Sequence, residues 1–60
     1  MRLAIIIPTL NEEPALRSNL PAAAKLADLL VVVDGGSTDD SVHVARRHGA
    51  EVVENGRAHV

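Results

Sequence analysis

Two apolar runs constrain this chain more than any other feature. Leu3-Ala4-Ile5-Ile6-Ile7 and Leu29-Leu30-Val31-Val32-Val33 are each five residues long, rich in branched side chains and bounded by polar or turn-forming neighbours. They are too short for buried helices and lack the alternation of half-buried strands, so they predict strands covered on both faces. Strands of that kind belong to parallel sheets, in which each crossover needs about a dozen residues or more, usually a helix. The second run leads directly into Asp34-Gly35-Gly36-Ser37. A carboxylate is thereby placed at the carboxyl end of a strand, the edge at which open α/β sheets bind ligands.

The rest of the chain supplies the crossovers. Pro8 is expected to end the first strand, because it has no N–H for a ladder. Asn11 is the natural N-cap of a first helix, with Glu12 and Glu13 in its first turn beside the positive end of the dipole. Leu16, Leu20, Ala23 and Ala27 recur at helical spacing and predict the sheet-facing side. Pro21 interrupts that pattern and predicts a kink, or two short helices meeting near Asn19 to Pro21. Ser37 and Asp40 fit the Ser-x-x-Asp form of a capping box, opening a second helix over Thr38–His48 that ends at Gly49 as its C′ residue. Val42 and Ala45 are placed on one face of that helix, with His43, Arg46 and Arg47 in solvent. Glu51-Val52-Val53-Glu54 is half apolar and predicts a third strand, and Asn55-Gly56 a turn.

The order βαβαβ is half of a doubly wound parallel sheet. Right-handed crossovers stepping in one direction put both helices on the same face. Strands apolar at every position nevertheless ask for cover on both. The expectation is therefore that residues 1–60 are an incomplete domain, the opening of a larger one.

Candidate chemistry gathers at the two loops that follow the strands. Asp34 can accept hydrogen bonds from ribose hydroxyls or a base N–H, and burial makes such partners necessary; a turn or capping aspartate is the plainer reading. Gly35 and Gly36 allow a sharp turn or close approach to a ligand. Thr9, Asn11 and Glu12 are within reach of a nucleoside at that edge, although helix capping also accounts for Asn11. The loop after the first strand has no glycine, which excludes the Gly-x-Gly-x-x-Gly dinucleotide fingerprint, and no P-loop pattern is present. Thr38, Asp39 and Asp40 are read as capping residues rather than a metal site. His43, His48 and His59 lack ligand spacing, and Arg57 alone is weak evidence for a phosphate contact.

Composition removes other classes. Eight acids against six Lys and Arg give a formal charge of −2, and there is no aromatic residue; nucleic-acid binding lacks both its basic patch and its stacking surface. The absence of cysteine rules out disulfides and thiolate metal sites. Five-residue apolar runs fall far short of the ~20 needed for a membrane span, and the first stops at Pro8, too early for a signal peptide. The expected location is cytoplasmic.

Ile5-Ile6-Ile7-Pro8-Thr9-Leu10-Asn11-Glu12-Glu13, followed by Val31-Val32-Val33-Asp34-Gly35-Gly36-Ser37-Thr38-Asp39, resembles the N-terminus of family 2 glycosyltransferases of the GT-A fold, whose nucleotide-binding half is Rossmann-like. The closest likeness is to a bacterial subgroup with Asp-Gly-Gly-Ser in place of the commoner Asp-Asp-Gly-Ser, so Gly35 replaces a second carboxylate. His48-Gly49-Ala50-Glu51-Val52-Val53 through Gly56-Arg57-Ala58 is similar to the same subgroup. The resemblance implies a nucleoside diphosphate sugar donor, with Pro8, Thr9, Glu12 and Asp34 lining the nucleoside pocket and Asn11, Gly35, Gly36 and Ser37 beside them. It also implies Mg²⁺ or Mn²⁺ on a later Asp-x-Asp and a still later catalytic base, neither of which lies in this chain. The expected function is the nucleotide-recognition part of a truncated glycosyltransferase, inactive alone. The alternative is a non-catalytic nucleotide-binding or assembly module completed by another chain or domain. A nucleotidyltransferase opening would carry a glycine-rich, arginine-bearing loop after the first strand, which is not seen.

Overall fold

The structure is a computed structural model that describes residues 2–54. The elements alternate as β1 (Ala4–Thr9), α1 (Glu13–Leu26), β2 (Leu29–Asp34), α2 (Ser41–Arg47) and β3 (Glu51–Glu54). All strand pairs are parallel, in the order β1-β2-β3. This is the expected βαβαβ half of a doubly wound α/β sheet. The readings placed on Asn55, Gly56, Arg57 and His59 lie outside the described residues.

One face of the sheet carries the core. Leu30 and Val32 of β2 meet Leu16 and Leu20 of α1 and Val44 and Ala45 of α2, with Ile5, Ile7, Ala23, Ala27, Ala50 and Val52 packed around them. Alternation along a strand sends the intervening side chains to the opposite face. There the register sets Ile6 beside Val31, and Pro8, Val33 and Val53 in one row. No element among the described residues covers that row, and Ile6 is 64% exposed. The prediction of two covered faces is therefore met on one.

Three local expectations are corrected. Pro8 does not end β1: the strand continues through Thr9, pairing Pro8 with Val33 and Thr9 with Asp34. Leu3 and Thr9 turn their carbonyls to β2, so with alternating polarity the Pro8 nitrogen points to the open edge, where no ladder donor is needed. Nor does Pro21 divide the first helix, which runs unbroken over Glu13–Leu26. Pro21 is exposed, so the carbonyl it leaves unpaired in the preceding turn faces water. Lastly, α2 begins at Ser41 rather than Thr38, and its buried face is Ser41, Val44 and Ala45. Val42, one position off that face, is only half-buried.

The carboxyl end of α2 follows its sequence signals. Gly49 is left-handed at φ +82°, Ala50 N–H donates back to the Ala45 carbonyl at 3.1 Å, and His48 Nδ1 lies 3.0 Å from the Val44 carbonyl oxygen. These contacts satisfy the last free carbonyls of the helix. They also turn the chain directly into β3.

Candidate functional site

Parallel register brings the ends of β1 and β2 side by side, so the loops that leave Thr9 and Asp34 form a single edge. Asp34 is the centre of that edge. The residue is 3% exposed. Carboxylate Oδ2 accepts the Gly36 N–H at 3.0 Å and the Ser37 N–H at 2.9 Å, while Oδ1 accepts the Ser37 hydroxyl. Burial by itself would raise the carboxyl's pKa, but the hydroxyl and two amides favour the ionised form more strongly, and the net shift is downward. Three of the four acceptor positions of the carboxylate are thus occupied within the loop. One lone pair on Oδ1 has no partner among the described residues.

Ser37 was expected to open a capping box. Instead its hydroxyl donates to Asp34 and accepts the Asn11 N–H at 2.9 Å. Asn11 was expected as an N-cap, yet the N-cap position is Glu12 and no side chain of the same loop caps it. Two N–H groups at the start of α1 find acceptors across the gap: Glu12 N–H donates to Ser41 Oγ at 3.1 Å and Glu13 N–H to Asp39 Oδ2 at 3.3 Å. In return, Asn11 Oδ1 accepts the Thr38 N–H at 2.7 Å and Glu13 Oε1 accepts the Asp40 N–H at 3.2 Å. The two loops cap each other. Ser41, fully buried, donates to Asp39 Oδ1 through both its N–H and its hydroxyl. The Ser41 hydroxyl leads the influences that lower the Asp39 pKa.

Both shifted carboxyls point to one pH response. Their folded pKa values lie below the ordinary value of 3.8, so the unfolded chain takes up protons first as pH falls. The stabilisation is complete above that value and is lost as pH drops through the lower folded values. Chemical denaturation midpoints should therefore be flat from neutrality to about pH 5 and decline below about pH 4. Asp34→Asn should reduce that acid-side slope.

Two cavities flank the Asp34–Gly35 segment, and they divide the candidate residues. One, of about 410 Å³, is lined by Pro8, Thr9, Leu10, Glu12, Val33 and Gly35. The other, of about 650 Å³, is lined by Asp34, Gly36, Ser37, Thr38, Asp39, Val42 and Glu54. Asn11 lines neither. The smaller cavity has an apolar floor, and among the described residues no protein group hydrogen-bonds the Glu12 carboxylate at its rim. The carboxylates of the larger one are engaged: Asp34 and Asp39 as above, Glu54 with Arg46 at 3.0 Å. Sequence reasoning passed over Leu10 and Val33. Val33 was findable, since it shares its face and register with Pro8.

The glycines of this loop differ in kind. Gly36 has φ +105° in open space, whereas a Cβ on Gly35 would sit in ordinary contact, 3.5 Å from the Thr9 carbonyl oxygen. Gly36→Ala is expected to cost about 1–3 kcal/mol through backbone strain. Gly35→Ala should stay within about 0.5 kcal/mol. Urea denaturation of the pair measures the contrast.

No group of three or more His, Asp or Glu among the described residues could hold a metal ion. Likewise, no helix among them is long and apolar enough to cross a membrane.

Comparison with known proteins gives this edge its context. The model of glycosyl transferase family 2 matches residues 4–60. The chain belongs to that family. An uncharacterized glycosyltransferase of Mycobacterium tuberculosis is 44% identical over 54 residues, 85% of this chain and 23% of that relative. Glucosyl-3-phosphoglycerate synthase of the same organism is 38% identical over 60 residues, 93% of this chain and 18% of the synthase. The crystal structure of that synthase with Mn²⁺, uridine diphosphate and glucosyl-3-phosphoglycerate superposes with a TM-score of 0.76, covering 87% of this chain and 20% of the other. This family 2 chain therefore spans about a fifth of the length of the curated relatives it matches, and its sheet is the corresponding fragment of their GT-A fold.

Proposed function

We propose that residues 1–60 form the N-terminal, nucleotide-sugar-binding part of a GT-A glycosyltransferase domain, holding the nucleoside of a uridine diphosphate sugar for transfer to an acceptor. The observation that carries this reading is the smaller cavity. It opens at the carboxyl edge of two parallel strands, where α/β sheets bind nucleotides. An apolar floor of Pro8, Leu10 and Val33 suits a base or ribose face, and the Glu12 carboxylate stands ready to accept ribose hydroxyls. Asp34 lines the larger cavity on the other side of Gly35, where a nucleotide that spans both cavities meets its remaining lone pair.

Uridine is favoured because the solved relative at 38% identity was crystallised with uridine diphosphate. That relative also holds Mn²⁺. The residues described here do not fit such an ion, since no three of their His, Asp and Glu side chains gather around one point. A divalent ion on the donor diphosphate is accordingly assigned to other parts of the full-length protein. The uncovered sheet face and the open edge of β1 are the surfaces that a completing domain or chain would occupy. A cytoplasmic location agrees with this donor chemistry.

Within the family, the motif Asp34-Gly35-Gly36-Ser37 supports a reading of this chain as a member of the bacterial subgroup with glycine at the second position. The ordinary contact found for a Cβ there means that Gly35 is not required by packing. A non-catalytic assembly role has no observation in its favour.

Calorimetric titration of the intact protein with UDP, ADP and GDP tests the proposal. Saturable binding of UDP, at least about tenfold (1.4 kcal/mol) tighter than ADP or GDP, is expected. Equal or absent binding of all three would overturn it.

A further inference from the structure

We propose that Asn11 is a positioning residue, one that lines neither cavity but sets the β1–α1 loop against the β2–α2 loop, and so fixes the cavity of Glu12 and the cavity of Asp34 relative to each other on either side of Gly35. The inference rests on the nucleotide-binding reading and adds to it a residue that lines neither cavity.

Among the described residues, Asn11 is the one non-glycine with a positive φ, at +50°. Asparagine is among the side chains that tolerate the left-handed region. That conformation does two things. It aims the Asn11 N–H at Ser37 Oγ, 2.9 Å away, and Ser37 in turn donates its hydroxyl proton to Asp34 Oδ1. It also aims the side chain across the gap, where Oδ1 accepts the Thr38 N–H at 2.7 Å. Asn11 thus holds the second loop at Ser37 and at Thr38, through a backbone donor and a side-chain acceptor. The Asp34 carboxylate is orientated by a hydroxyl whose own direction is set by the Asn11 N–H. On the other side of Asn11 stands Glu12, whose N–H is held by Ser41. A shift at Asn11 therefore moves both carboxylates relative to each other.

Three substitutions separate the contributions. Asn11→Gly keeps the left-handed backbone and removes the side-chain acceptor. Asn11→Ala removes the acceptor and disfavours the backbone. Asn11→Asp keeps both the acceptor and a tolerance for positive φ.

The test is UDP affinity of the intact protein at a temperature where all variants are folded, together with amide hydrogen exchange at Thr38. Asn11→Gly is expected to weaken UDP binding about tenfold, the loss of one well-made hydrogen bond (about 1.4 kcal/mol). Thr38 exchange should accelerate, Asn11→Ala should lose more affinity, and Asn11→Asp should retain affinity within about threefold. A merely structural role would lower the melting temperature and leave the affinity of the folded protein unchanged, as well as sparing the Asp rescue. Wild-type protein that binds no nucleotide removes the underlying reading and this inference together. Wild-type protein that binds UDP, with Asn11→Gly equal to it, removes this inference alone.

Discussion

Replacing Asp34 with alanine is expected to abolish measurable UDP binding and to cost about 2–4 kcal/mol of stability. The residue is 3% exposed, and its carboxylate accepts three hydrogen bonds from Gly36 and Ser37. Its removal leaves two loop amides and a hydroxyl without their acceptor, and an unpaired buried donor costs about 1–3 kcal/mol. The loop that carries Gly36 at φ +105° then loses what holds it. Asp34→Asn separates structure from binding. Its carbonyl can still accept the Gly36 and Ser37 amides, so the stability loss should fall to about 1 kcal/mol. Its amide cannot offer a charged acceptor to a ligand, and UDP affinity should still drop at least about tenfold (1.4 kcal/mol). Calorimetric titration and urea denaturation on the same samples supply both numbers. Unchanged UDP affinity in Asp34→Asn would remove Asp34 from the ligand and leave it as a loop-forming residue only.

Leu20→Ala is the second large effect. Leu20 is fully buried, lying at the centre of the cluster in which α1 meets β2 and α2. Deleting a buried leucine typically costs about 2–5 kcal/mol, the upper end where the surroundings cannot collapse. Here the neighbouring Val32 and Val44 are held by a strand and a helix that cannot both move inward. A small domain with one bare sheet face has little stability in reserve. Loss of the cooperative unfolding transition of residues 1–60 is the expected outcome, read by circular dichroism on heating. Leu26→Ala serves as the control, because Leu26 is 70% exposed and should shift the transition by no more than about 0.5 kcal/mol.

Much of this fold is legible in the sequence because its strongest signals are also its least ambiguous. The branched runs ending at Ile7 and Val33 are too short for helices and too apolar for surface strands, and both appear as strands. Glu51–Glu54 falls where predicted, and Gly49 ends α2 as its position after Arg46, Arg47 and His48 indicates. The errors share one cause. Pro8, Pro21, Asn11 and Ser37 were each read from their local chain neighbours, and each is decided by tertiary surroundings. The Pro8 nitrogen points to an open edge and the Pro21 turn to solvent, so neither proline breaks its element. Asn11 and Ser37 have good local capping partners in the sequence but better ones across the gap between two parallel strand ends, 26 residues away in the case of their own bond. No spacing rule encodes a bond that exists only once the sheet has formed. The candidate residues were accordingly legible as neighbours at one sheet edge and not as an arrangement. Pro8, Thr9, Glu12 and Gly35 share one cavity, Asp34, Gly36 and Ser37 the other, and Asn11 joins the loops that carry them.

The central claim is that the carboxyl edge of β1 and β2 receives a nucleoside in the cavity of Pro8, Leu10, Glu12 and Val33, with Asp34 on the other side of Gly35. A crystal structure of the intact protein with uridine diphosphate tests it directly. The predicted result is density for the nucleoside against Pro8, Leu10, Val33 and Gly35, with a Glu12 carboxylate oxygen within hydrogen-bond reach of the ribose. Nucleotide bound away from this edge, or at it but with neither Glu12 nor Asp34 within reach, would contradict the account.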